Sequence, residues 1–199
     1  MNGLAAVIIA YLMGGIPFGF LLVKLTTGRD VRAEGSGNIG ATNVLRTTGR
    51  AMAVVTLLLD IAKGFAAVWI AAAMTGSDPT WMALAGLAVM AGHAYPLFLN
   101  FKGGKAVACF IGAFLYLTPL PLGAVLLVFV AVVAATRQIS AGSIIAAAMF
   151  PVGVWLIDHP PLAVFVAALI AGAFIVYRHR PNIERIRAGK ENVFAWTRK

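Results

Sequence analysis

AMAVVTLLLDIAKGFAAVWIAAAMT, residues 51–75, is the stretch that decides the fold. It holds only two charges, Asp60 and Lys63, in an otherwise apolar run. A helix of about 20 apolar residues spans the hydrocarbon core of a bilayer, and this run is longer than that. Further apolar runs occupy 3–25, 81–99, 105–117, 119–136, 141–157 and 161–177. Together they predict an all-α integral membrane protein of about seven transmembrane helices, forming a single polytopic membrane domain over 1–199. The run 105–117 is short for a span and is followed by the turn signal Thr118-Pro119-Leu120-Pro121. It reads as a helix whose N-terminus starts below the membrane surface in a polar cavity, where irregular backbone is tolerated.

Composition agrees. Hydrophobic residues make up 61% of the 199, charged residues only 12%, which is too few to cover a soluble domain. The formal net charge of +9 would point to nucleic acid in a soluble protein. Here the basic residues flank the spans, so no nucleic-acid partner is expected. Lys24, Arg29, Arg32, Arg46 and Arg50 lie in or beside the first connection. Lys102 and Lys105 lie in the third, and Arg137 in the fifth. Arg178, Arg180, Arg185, Arg187, Lys190, Arg198 and Lys199 form the tail. The second, fourth and sixth connections have no Lys or Arg, and the second and sixth hold Asp78 and Asp158. Cytoplasmic loops are the basic ones, so the N-terminus is expected outside and the C-terminus in the cytoplasm. Met1-Asn2-Gly3 lacks a basic leader, so the first run is expected to be a retained span.

Lys63 follows Asp60 by three positions, one helical face, and the two can pair. Two readings stand: a structural pair that fixes helix packing, or a wall of the active cavity. The lone Cys109 reads as a small packing residue, with no disulfide and no metal site.

Three constellations carry chemistry. The first is GSGNIGATNVLR at 35–46. It matches G-x-G-x-x-G formally, but no strand–turn–helix unit surrounds it. Its composition says more: the backbone N–H groups at Gly37 and Gly40 form anion-holding nests, Ser36, Asn38, Thr42 and Asn43 add neutral donors, and Arg46 adds a planar fork. The second is GHAYP at 92–96 with FLNFKGGK at 98–105. Gly103-Gly104-Lys105 before an apolar run reads as a phosphate cradle opening a helix, although Walker spacing is absent. His93 by itself reads as a satisfied packing residue. The third is RHRPNIER at 178–185 followed by GKEN at 189–192. A basic tail on anionic lipid explains Arg198 and Lys199 but not His179 and Asn182. All three constellations are expected on the cytoplasmic side, as a phosphate-binding site open to lipid.

GSGNIGATNVLR, DIAKG at 60–64, GHAYPLFLNFKGGKAVA at 92–108 and HRPNIERIRAGKEN at 179–192 together resemble the bacterial acyl-phosphate:glycerol-3-phosphate acyltransferases of the PlsY type. The resemblance covers most of the chain. It implies a seven-span enzyme of the bacterial cytoplasmic membrane that moves a fatty acyl group from acyl phosphate to position 1 of glycerol 3-phosphate. The products are lysophosphatidic acid and phosphate, with no cofactor and no metal. It implies catalytic roles for Ser36, Arg46, Lys105, His179 and Asn182. Gly103 and Gly104 match the family's glycerol 3-phosphate loop, and Ser143 joins Gly37, Asn38, Gly40, Thr42 and Asn43 as a further binding group. Glu191 matches an acidic residue that supports structure, a role also given to Asp60, Lys63 and His93. The family usually has glycine where this chain has Ala106, and an added methyl is expected to narrow the cradle or forbid a positive φ.

Acyl phosphate is already activated, so direct transfer is expected, with alignment of two anionic substrates as the enzyme's main task. The base is either His179 or a substrate phosphate oxygen. A phosphate or organophosphate transporter is the alternative, though it needs polar groups on the outer side, which is nearly bare. The sequence does not set an oligomeric state, and a monomer is compatible with it.

Overall fold

The structure, a computed structural model, describes residues 2–193, so Arg198 and Lys199 lie outside the described residues. All regular structure among the described residues is helical, in two compact units, Met1–Leu117 and Thr118–Lys199.

In the first unit, α1 (Asn2–Gly14) and α2 (Phe18–Thr27) together make one stretch of spanning length, broken at residues 15–17. Pro17 lacks the N–H that would continue the helix, which explains the break. A short α3 (Ala41–Thr47) follows, then α4 (Arg50–Thr75), whose 26 residues extend roughly 39 Å at 1.5 Å per residue. Gly76, at φ 66°, closes α4 in the left-handed conformation. Helix α5 (Pro79–Ala94) starts on Asp78, whose carboxylate accepts from the Thr80 and Trp81 N–H groups, with Pro79 in the first turn. Helix α6 (Val107–Leu117) has 11 residues and is too short to cross a bilayer alone.

Helix α1 packs on α4 and α5, and α4 packs on α6. The α4–α6 crossing is a backbone contact. A Cβ at Gly64 would strike the Cys109 carbonyl, and one at Gly112 would strike the Ile61 carbonyl. Small residues give this close approach in lipid, where dispersion rather than hydrophobic burial joins helices. A separate apolar cluster of Val23, Val31, Ile39, Val44, Ala53 and Leu99 seats the glycine-rich first loop against α2, α3 and α4.

In the second unit, α7 (Pro119–Thr136) and α8 (Ile139–Ile157) form a hairpin turned at Arg137, φ 58°. Helix α9 (Leu162–Arg178) packs on α8, and α10 (Arg180–Arg187) leaves it at a 55° bend. Among the described residues, five stretches are long and apolar enough to span a membrane, or six if α9 and α10 count as one. Large apolar side chains such as Leu58, Trp69, Leu127, Val130, Leu156 and Leu169 are exposed, as lipid contact requires.

Candidate active site

The first constellation is a loop built around one buried amide. Asn43 Oδ1 accepts from the Ser36 N–H at 2.7 Å. Its Nδ2 faces the carbonyls of Val31 (2.9 Å), Glu34 (3.1 Å) and Asn38 (2.8 Å). Asn43 therefore shapes the loop, with both ends of its amide bonded to backbone. Asn38 behaves similarly, its Oδ1 accepting from the Gly40 N–H at 2.9 Å as α3 begins. Gly35 and Gly37 sit at φ 60° and 69°, and a Cβ at Gly35 would strike Asn43 Oδ1, so glycine is required there. Ser36 and Gly37 are exposed at the tip, Thr42 is half-buried, and Arg46 is half-buried in the last turn of α3. Two neighbouring basic residues are already neutralised: Arg29 pairs with Glu34 at 3.0 Å and Arg32 with Asp30 at 2.7 Å. The Arg32 side chain, hydrogen-bonded to Asp30, holds that carboxyl below the ordinary carboxylate range against a partial burial penalty.

The second constellation is a loop tied back to the end of α5. The N–H groups of Gly103 and Gly104 donate to the carbonyls of Ala94 and His93, at 3.1 and 3.0 Å. They satisfy the last carbonyls of α5, which a helix end otherwise leaves open. The glycines are needed for approach: a Cβ at Gly103 would strike the His93 carbonyl, and one at Gly104 the His93 ring at Nε2. Lys105 is half-buried two residues before α6, with its exposed neighbour Lys102 on the other side of the glycines. Ala106 is buried at φ 62°. The expectation that its methyl forbids a positive φ is thus overturned, because the hydrogen-bonded loop holds the strained conformation in place.

Beneath that loop, the Lys63 ammonium lies 2.8 Å from Asp60 Oδ1 and 3.1 Å from His93 Nδ1. It also donates to the carbonyls of Gly14 (3.0 Å) and Ile16 (2.7 Å). All three side chains are buried. Asp60, His93 and Cys109 place potential metal-ligand atoms within 4.8 Å of one another. The Lys63 ammonium already supplies the positive charge at that cluster, so the donor set fits an ion pair and not a cation cage.

In the second unit, Glu191 gathers the third constellation. Its carboxylate accepts from Asn182 Nδ2 (2.9 Å), Ser140 Oγ (3.1 Å) and Arg185 Nε (2.8 Å). Burial pushes this carboxyl up, but the Asn182, Arg185 and Ser140 hydrogen bonds together hold it below its ordinary range. His179 sits at the bend between α9 and α10, with Nδ1 2.8 Å from the Ile175 carbonyl. A carbonyl only accepts, so Nδ1 carries the proton and Nε2 the ring's lone pair in the neutral form. Ser143 donates to the Ile139 carbonyl of its own helix at 2.9 Å, one turn beyond Ser140.

Sequence reasoning missed Ser140 and Arg185 as partners of Glu191. Helical spacing from Ser143 could have found Ser140. Nothing in the sequence joined Lys63 to Gly14 and Ile16. An open apolar crevice of about 390 Å³ between α8 and α9, lined by Trp155, Leu156 and Phe165 among others, contains none of the motif residues.

Helices of spanning length with polar motifs gathered at their ends define an integral membrane protein. Residues 4–189 match the family model described as glycerol-3-phosphate acyltransferase, and the chain belongs to that family. The glycerol-3-phosphate acyltransferase of Geobacter sulfurreducens is 47% identical over 194 residues, covering 98% of each chain. That of Syntrophomonas wolfei is 43% identical, covering 96% of each. Among solved structures, PlsY (YgiH), an integral membrane glycerol 3-phosphate acyltransferase, superposes in its glycerol 3-phosphate form with a TM-score of 0.92 at 39% identity, covering 98% of this chain and 96% of that one. Its lysophosphatidic acid form gives 0.90 at 37% identity.

Proposed function

We propose that the protein transfers a fatty acyl group from acyl phosphate to the 1-hydroxyl of glycerol 3-phosphate, releasing lysophosphatidic acid and phosphate. In bacteria this is the first committed step of phospholipid synthesis. The observation that carries the reading is the near-complete overlap, in sequence and backbone, with an enzyme solved in both acceptor and product forms. The transporter alternative finds no support in these relatives.

The hydroxyl oxygen attacks the acyl carbonyl carbon, the bond from that carbon to the phosphate oxygen breaks, and phosphate leaves. Because the leaving group is stable, the enzyme's work is to hold two anions together and accept one proton. Arg46 offers a planar fork for phosphate, and Lys105 adds a point charge where the α6 dipole is positive. Ser36 supplies a neutral donor at an exposed loop tip. The proton goes to His179 Nε2 or to a phosphate oxygen, and the Nδ1 hydrogen bond to Ile175 supports the first. Asn182, held by Glu191 through its amide nitrogen, would present its amide to a substrate hydroxyl. Gly37, Gly40 and Thr42 would bind alongside Ser36, and Ser143 has acceptor capacity to spare.

The alternation of basic connections supports seven crossings of the cytoplasmic membrane, with α6 as the short seventh. It also supports an outside N-terminus and an active site facing the cytoplasm. Purified protein in detergent, given acyl phosphate and labelled glycerol 3-phosphate, should make labelled lysophosphatidic acid without added metal. Folded protein that forms no product, yet takes up label when sealed in vesicles, would overturn the reading in favour of transport.

A further inference from the structure

We infer that Lys63 is a positioning residue for the loop that carries Lys105, acting through His93; the inference rests on the acyl-transfer reading for its kinetic consequence. The chain of contacts is continuous within the first unit. Lys63 donates to the Gly14 and Ile16 carbonyls at the break between α1 and α2, which fixes the ammonium on α4. An ammonium and a protonated ring nitrogen cannot both donate across the 3.1 Å to His93 Nδ1. With Lys63 charged and paired to Asp60, the imidazole accepts at Nδ1 and has its proton at Nε2. That sets the ring's orientation, and the Nε2 edge is the surface on which Gly104 rests. The same residue's carbonyl receives the Gly104 N–H. His93 thus grips Gly104 by both ring and backbone, one residue before Lys105 and three before the first residue of α6.

The loop needs an external hold. Asn100, Phe101 and Ala106 all have positive φ, a conformation that residues other than glycine rarely adopt. A segment strained at three positions keeps its shape only while its surroundings determine it. Lys63 makes a three-way tie between the α1–α2 break, α4 and the end of α5, and the tie lies beneath that segment.

Two variants test this in the full-length protein in detergent. Lys63→Met removes the ammonium at similar volume. His93→Asn keeps an acceptor near the Nδ1 position but removes the ring edge under Gly104, and serves where Lys63→Met does not fold. Each is expected to raise KM for glycerol 3-phosphate about tenfold, as small misplacements of a binding group do, with KM for acyl phosphate unchanged. Each should also speed deuterium exchange of peptides covering 95–106. Phe150→Ala, a core truncation in the second unit, gives the control for a general loss of stability. The inference is overturned if the folded variants keep acceptor KM and loop exchange at wild-type values. It is equally overturned if the two KM values rise together, in the same ratio as in Phe150→Ala. Wild-type protein that makes no product would sink the acyl-transfer reading instead, and the exchange arm would still decide whether Lys63 holds the loop.

Discussion

Arg46 and Ala106 show how much rests on single side chains. Arg46 has the only fork-shaped donor among the proposed phosphate groups of the first unit, and a lysine there would reduce paired N–H contacts to a point charge. Arg46→Lys should lower turnover by about tenfold or more in protein that still folds, measured by lipid product formation. Near-normal turnover would remove Arg46 from the mechanism. At Ala106, buried at φ 62°, two effects oppose each other. Glycine relieves about 1–2 kcal/mol of left-handed strain but adds about 0.4–1 kcal/mol of unfolded-state freedom. Ala106→Gly is therefore expected to leave the unfolding midpoint unchanged or slightly raised. Ala106→Val places a β-branched residue in the same conformation and should lower it clearly. If the glycine variant is the less stable of the two, the left-handed assignment is wrong.

At the scale of elements, the junction of α8, α10 and the following segment depends on one carboxylate. Glu191 takes hydrogen bonds from Ser140 on α8 and from Asn182 and Arg185 on α10. Its carboxyl is held below the ordinary value of 4.5, so its protons bind more tightly in the unfolded chain than in the folded one. The stabilisation is therefore fully present above that ordinary value and is lost as pH falls through the lower folded value. Thermal unfolding of wild type should be flat from neutral pH down to about 5 as far as this group is concerned, then fall. Glu191→Gln should start lower at neutral pH, because a neutral amide cannot accept all three donors equally, and should lose this acid-side decline. A Gln variant with an unchanged decline would assign it to another carboxylate. The elements themselves were largely readable: the runs at 51–75 and 119–136 match α4 and α7 within a residue or two, because hydropathy is a local property. The break at residues 15–17 was missed inside the run 3–25, although Gly15 and Pro17 were its signals.

For the whole molecule, the membrane orientation is the testable quantity. Cys109 is the sole cysteine and is buried, so a single introduced cysteine can report its side. Ser77→Cys, in the connection free of Lys and Arg, should react with a membrane-impermeant thiol reagent on intact spheroplasts. Lys190→Cys should react only after permeabilisation. The reverse pattern would invert the orientation and move the basic loops outside.

What the sequence determined alone was the class of protein, the helical runs, the connections in which basic residues gather and the set of polar residues available for chemistry. These follow from composition and spacing along the chain. Only the tertiary structure decided what each polar group is bonded to. Gly103 and Gly104 direct their N–H groups at the end of α5, Asn43 is committed to its own loop, and Lys63 reaches carbonyls 49 and 47 residues away. A hydrogen bond is short and directional, so its partner is whichever backbone the packing brings within about 3 Å, and no local pattern encodes that.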